Sequence, residues 1–267
     1  MAIKRSSFNT NTVNRKNASN DSLRLKYEGF HRYFHDYSGA FLPTNIARNV
    51  IWIDFSDAAT LFTDQARTTP VSDTGASIMG VTNLSGSDNH ATASASNVSP
   101  KYITGVQNGL STASFDGSND FLKMDNLVTS TQFTVAGVWR IRGNQTVFNS
   151  GSAGVNGYSL NVSTCRKATY HGVGDLVDSN ATTNFEIWVL AHATGATCLI
   201  VNGTSASVSN PTVNPVALTA STILGAAACT TGNLSGDIGE LIMYDSALSL
   251  SDRQDIDSYL NSKWAVY

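Results

Sequence analysis

SGDIGELIMYDSALSLSDRQDIDSYLNSKW, residues 235–264, changes its hydrophobic period partway along, and that change decides the fold. Residues 236–244 form a short strand-like run. From Ser249 onward the spacing becomes helical, with Ile256, Tyr259, Leu260 and Trp264 on one stripe. Ser249 can cap this helix with Asp252 three residues on, a variant of the capping box. Asp252, Asp255 and Asp257 suit the positive N-terminal half of the helix, and Lys263 suits its C-terminal end. The apolar stripe is therefore expected to close a short C-terminal helix against the rim of a β-structure.

Working outward, the rest of the chain supplies that structure. Val50-Ile51-Trp52-Ile53-Asp54-Phe55 puts Ile51, Ile53 and Phe55 on one face and Trp52 and Asp54 on the other, a strand suited to the middle of a sandwich. Further strand-like runs lie near 113–117, 120–124, 132–142, 145–149, 157–163, 167–171, 185–193, 196–202 and 220–226. Short strands at this spacing predict an antiparallel sandwich. Residues 63–99 are polar and rich in Gly, Ser, Asn and Ala, and read as long surface loops, which serve as binding or contact surfaces when ordered.

Composition agrees with an all-β chain. Of 267 residues only 14% are charged and 41% are hydrophobic, which excludes a coiled coil or long-helix protein. Ser, Thr and Asn make up close to a third of the chain, so turn formers and β-tolerant polar residues replace the usual Lys and Glu. No apolar run approaches the ~18 residues of a membrane span, and MAIKRSSFNTNT at 1–12 lacks the apolar stretch of a signal peptide, so neither membrane insertion nor classical export is expected. Cys165, Cys198 and Cys229 have no metal-type spacing and predict no disulfide framework; Cys198, in the alternating run ATCLIVNG, reads as a small buried hydrophobe.

Charge is distributed unevenly. Residues 1–50 carry eight Lys/Arg against three Asp/Glu, and the remainder nine against seventeen, giving +5 and −8 within a net charge of −3. A basic arm, residues 1–45, thus precedes an acidic domain, residues 46–267. The arm is either a solvated tail or a segment that docks on an acidic partner. Nucleic acid is a poor partner, because the acidic domain would be repelled by phosphates. The first twenty or so residues are too poor in apolar side chains to fold alone. Leu23, Tyr27, Phe30 and Phe34 then recur at helical spacing, weakened by Gly29, and predict a short amphipathic helix that packs on its own domain or grips another subunit.

Four runs carry a family resemblance: VIWIDFSDAATLFTD at 50–64, ASFDGSNDFLKM at 113–124, FTVAGVWRI at 133–141, and the 235–264 ending. Together they resemble the laminin-G-like branch of the concanavalin A-like lectin/glucanase superfamily. The resemblance implies a two-sheet antiparallel jelly roll whose first and last strands pair, followed by a short C-terminal α-helix. It does not cover the residues before 46. In bacterial and bacteriophage proteins such modules sit in surface or virion proteins, where they bind glycans or act as contact scaffolds.

The superfamily includes glucanases, whose chemistry needs two carboxylates about 5 to 5.5 Å apart, supplied in the relatives by glutamates in an E-x-D-x-E type pattern. Here Glu186 in NFEIWVLAH and Glu240 in GDIGELIMY stand alone. His171, Ser159 and Asp175 offer the residue types of a triad without a G-x-S-x-G elbow, and His31 with His35 is too little for a metal site. No enzyme is expected. Asp116, Asn119 and Asp120 could offer oxygens to a structural calcium ion, but a hairpin turn accounts for them better, and no cofactor is assigned. Asp54 and Asp237, on strands that the resemblance places near one another, form an equally open pair.

A sugar site needs aromatic faces and polar groups. Tyr158 in GVNGYSLNV and Tyr170 with His171 in KATYHGVG lie beside glycine-rich turns and are the candidate ligand-binding residues, whereas Trp52, Trp139 and Trp188 lie in strongly apolar strands and read as core. Two functions follow. One is a non-enzymatic structural protein of a bacteriophage virion, a capsid decoration or tail appendage, held to other virion proteins by residues 1–45 and assembling as a homo-oligomer. The other is a lectin-like module that attaches to a surface glycan.

Overall fold

The structure is a computed structural model describing residues 24–27, 30–33, 41–125, 130–143, 145–151, 157–162, 166–170, 174–178, 182–193, 196–206, 221–227 and 232–267. It divides into two units, residues 1–41 and 42–267. In the first, β1 (Arg24–Tyr27) and β2 (Phe30–Tyr33) pair antiparallel, with Arg24 opposite Tyr33 and Tyr27 opposite Phe30. The amphipathic helix expected here is replaced by a strand pair. A glycine costs a helix interior about 1 kcal/mol, and Gly29 falls within the segment read as helical. Leu23 and Phe34 lie outside the described residues.

The second unit is a sandwich of two antiparallel sheets. Among the described residues the first sheet contains β3 (Asn49–Asp54), β7 (Lys101–Gln107), β8 (Leu110–Asp116), β10 (Phe133–Ile141), β15 (Glu186–Ala193), β16 (Ala196–Val201), β17 (Thr204–Ser205) and β19 (Ser235–Tyr244). Its order is β17-β16-β15-β10-β19-β8-β7, with β3 also on β19. The second contains β4 (Leu61–Phe62), β5 (Gly80–Val81), β6 (Ala91–Thr92), β9 (Leu122–Met124), β11 (Gln145–Gly151), β12 (Gly157–Val162), β13 (Arg166–Tyr170), β14 (Gly174–Asp178) and β18 (Thr222–Leu224). Its order is β14-β13-β12-β11-β18-β9-β6-β5-β4.

β19 organises the first sheet. Along one edge it pairs with β10. Along the other it is shared end to end, Ser235–Ile238 facing β8 and Glu240–Tyr244 facing β3. The Phe55 amide donates to the Gly239 carbonyl at 2.9 Å and closes the junction between them. The first strand of the sandwich thus pairs with its last, as the resemblance implied. Ile51, Ile53 and Phe55 are fully buried in the core, alongside Phe115, Phe133 and Phe148. Trp139 and Trp188 meet there edge to face at 5.3 Å.

Residues on the opposite face of the same strands, Ala136, Val138, Ile187, Val189 and Ile242, are buried as well. The covering element is α1 (Leu250–Trp264), which packs on β10 and β15. Ile256, Leu260 and Trp264 of the expected stripe are fully buried, each side chain contributing about 1.5–3 kcal/mol by leaving water. The Ser249 hydroxyl accepts from the Asp252 amide at 3.2 Å and donates to the Asp252 carboxylate at 2.7 Å, completing the expected cap. Trp264 lies so close over β19 that a Cβ at Gly239 would sit 2.6 Å from its ring, so only glycine fits there.

Three expectations are corrected. The FDGSND turn is not a hairpin: it carries the chain from β8 in one sheet to β9 in the other, because the partners of β8 are β7 and β19 and those of β9 are β18 and β6. Residues 63–99 are not all surface: β5 and β6 join the second sheet, and Val71, Ile78, Val81, Ala91 and Ala93 enter the core. Cys198 is exposed. It sits on β16 opposite Ala191 of β15, between the buried Thr197 and Leu199.

Candidate functional site

Tyr158 and Tyr170 are brought together by register, as direct partners on β12 and β13. The same cross-strand row continues through Ser150 and Thr222 to Met124. At the ordinary spacing between strands, Met124 is roughly 14 Å from Tyr158. His171 lies outside the described residues. The triad types are not assembled by register: Ser159 pairs with Thr169, and Asp175 is one strand further on, also opposite Thr169.

Met124 also borders a cleft of about 250 Å³ that sequence reasoning did not locate. It forms where the loops around Arg67 and Asp88–His90 meet the end of β9. Two cations, Arg67 and Lys123, and two carboxylates, Asp88 and Asp125, face it with Asn89 and His90. None of those four charged side chains makes a hydrogen bond or ion pair among the described residues.

The backbone beneath these free groups is fixed. Asn83, nearly fully buried, accepts from the Trp52 amide at 2.8 Å and donates to the Val50 carbonyl, the Ser87 hydroxyl and the Asn89 carbonyl. Asn89 clamps Asp125 through both its amide and its carbonyl. The Asp64 carboxylate accepts from the amides of Thr68 and Thr69, and these bonds hold it below the usual carboxylate range. That turn forces Arg67 to φ 57°, an uncommon conformation for a side chain of this size. Gly80 packs beneath it, and a Cβ there would lie 2.9 Å from the Arg67 Cγ and 2.5 Å from the Asp64 carbonyl. His90 Nδ1 accepts from the Asn83 amide at 3.1 Å, which leaves the proton of the neutral ring on Nε2 as a donor. Burial and the Arg67 charge, partly opposed by Asp88, lower the proton affinity of His90.

The isolated carboxylates noted in the sequence are occupied elsewhere. Glu240, fully buried, accepts from Trp52 Nε1 and the Tyr259 hydroxyl, both at 2.8 Å, from Lys263 Nζ at 2.8 Å and from Trp264 Nε1 at 2.9 Å. Burial and neighbouring Asp54 raise its pKa against the opposing pull of Lys263. Lys263 also reaches Asp54 at 2.5 Å. Asp237 is held by Arg140 and Arg142, so Asp54 and Asp237 are engaged by different cations. Glu186 accepts from Trp188 Nε1 at 2.8 Å and from the Thr182 hydroxyl at 2.9 Å. In the FDGSND turn, Asp116 accepts from the amides of Ser118 and Asn119, while Asp120 accepts from the Asp116 amide at 3.0 Å. Asp120 is pushed up to about 6 by burial.

No family model and no curated protein matches the chain. Solved structures do. Trypanosoma rangeli sialidase matches at 13% identity and a TM-score of 0.53, covering 82% of this chain and 33% of that one. The binding domain of Paraclostridial Mosquitocidal Protein 1 matches at 10% identity and 0.56, covering 69% and 51%. The receptor binding domain of botulinum neurotoxin D matches at 12% and 0.56, covering 83% and 54%. The chain thus spans about a third of the sialidase and about half of each toxin domain. At these identities the likeness is one of fold: the 42–267 unit is a β-sandwich of the architecture found in these proteins.

Proposed function

We propose that the chain is a non-catalytic, lectin-like binding module whose sandwich engages a surface glycan. The observation that carries this reading is the cleft around Arg67, His90 and Lys123, where free hydrogen-bonding side chains stand on a backbone fixed beforehand. Such preorganisation lowers the entropy cost of holding a ligand. Several similar structures support it, among them a botulinum neurotoxin D domain described in complex with N-acetylneuraminic acid. A catalytic reading has less support, since Glu186 and Glu240 are consumed by indole, hydroxyl and ammonium donors. Tyr158, Tyr170 and His171 are proposed as a second part of the contact surface.

Binding of the full chain to a printed glycan array tests this. Specific signal is expected, and it weakens in a Tyr158→Ala, Tyr170→Ala variant. A blank array with folded protein overturns the reading.

The charge division between residues 1–50 and the remainder favours a finer setting. The chain is proposed as a virion component displaying the sandwich, with residues 1–45 gripping a neighbouring particle protein. Mass spectrometry of purified particles checks this, and absence of the chain from them rejects it.

A further inference from the structure

The cleft's four free charges narrow the ligand beyond a glycan in general, and the following rests on the lectin-like reading. Arg67 and Lys123 carry positive heads that no carboxylate among the described residues neutralises, although Asp88 and Asp125 line the same cleft. The backbone that carries both signs is fixed. At Arg67 it is set by the Asp64 turn and the Gly80 floor, at Asp125 by Asn89, and on either side of Asp88 by the bonds of Asn83 to Ser87 and Asn89. A neutral sugar would satisfy the carboxylates with hydroxyl donors but leave two cations without an anion. A simple anion would satisfy the cations but be repelled by the carboxylates. A ligand that presents one anionic group among several hydroxyls satisfies both sets, and charge-assisted bonds to its anion would be the strongest contacts in the site.

We infer that this cleft binds an acidic saccharide, with Arg67 and Lys123 on its carboxylate or sulfate group and Asp88 and Asp125 on its hydroxyls.

The test uses the full chain on an array carrying sialylated, uronate-containing and sulfated oligosaccharides, each printed beside its carboxyl-reduced or desulfated parent. Comparing carboxylate with sulfate members identifies which anion is read. The expected result is binding to acidic members at least tenfold above their neutral parents, weakening as salt is raised. An Arg67→Asn, Lys123→Gln variant keeps a residue tolerant of positive φ at 67 and removes both charges. With an unchanged melting temperature it is expected to lose that preference, while Arg253→Gln, outside the cleft, retains it. Equal binding to acidic and neutral members overturns the inference and leaves the lectin-like reading standing. Acidic preference that survives in the double variant overturns the site assignment. No binding to any member overturns both.

Discussion

His192 shows how one buried side chain makes stability depend on pH. It sits on β15, 1% exposed, stacked on Phe133 at 5.4 Å and bonded through Nδ1 to the Thr197 hydroxyl at 2.7 Å. Burial lowers its pKa to about 4 from the ordinary 6.5. The unfolded chain therefore takes up a proton there near pH 6.5, while the folded chain resists until about pH 4. The stability His192 contributes is full above pH 6.5 and is lost as pH falls toward 4, by about 3 kcal/mol at most. Asp120 acts in the opposite sense: with its pKa raised to about 6, its contribution is present at low pH and lost as pH rises through 6. Denaturant melts of the wild type and a His192→Gln variant between pH 7 and 4.5 separate the two, because Asp120 is common to both. The gap between the curves is expected to change with pH in the direction given; parallel curves contradict the assignment.

At the level of elements, the Glu240 knot joins β3, β19 and α1 through one carboxylate. Removing the acceptor in Glu240→Ala takes a partner from two indole N–H groups, from the Tyr259 hydroxyl and from the Lys263 ammonium, which keeps Asp54. A loss of about 3–5 kcal/mol is expected from urea denaturation, with faster hydrogen exchange in the last turns of α1. A loss below about 1 kcal/mol would show that the helix is held by its apolar stripe alone. The helix itself was legible in the sequence, since its cap, charge bias and stripe are local signals and all point the same way. The knot was not, because Trp52 and Glu240 are 188 positions apart and become neighbours only through register. The β1–β2 pair was misread because four aromatic and aliphatic residues fell at helical spacing by chance in a segment whose Gly29 favours a turn.

For the molecule as a whole, the two sheets and the first-to-last strand pairing were readable from apolar runs and the resemblance. The cleft was foreseen only as long polar loops at 63–99. Its walls come from three distant segments, and what fixes them is the Asn83, Asn89 and Asp64 hydrogen bonding that no periodicity reports. The 42–267 unit holds both sheets of the sandwich and the core between them. A 42–267 fragment is expected to melt cooperatively within about 2 °C of the full chain, with unchanged near-ultraviolet circular dichroism. A fragment that aggregates or melts many degrees lower would show that the first unit contributes to the stability of the second.

The tie from Lys263 to Asp54 also governs how the sandwich bears tension. Asn49 and Tyr244 are opposite one another at the same end of the β3–β19 pair, so a load applied directly at those residues would peel the strands apart one rung at a time. Lys263, near the end of α1, instead grips Asp54 at the far end of β3. A pull on the C-terminal tail beyond Lys263 therefore meets the ammonium's hold on Asp54 and Glu240 before it can reach Tyr244. Behind it stand the buried Leu260 and Trp264, so the end of the chain is moored to the first sheet by charge outermost and by packing within.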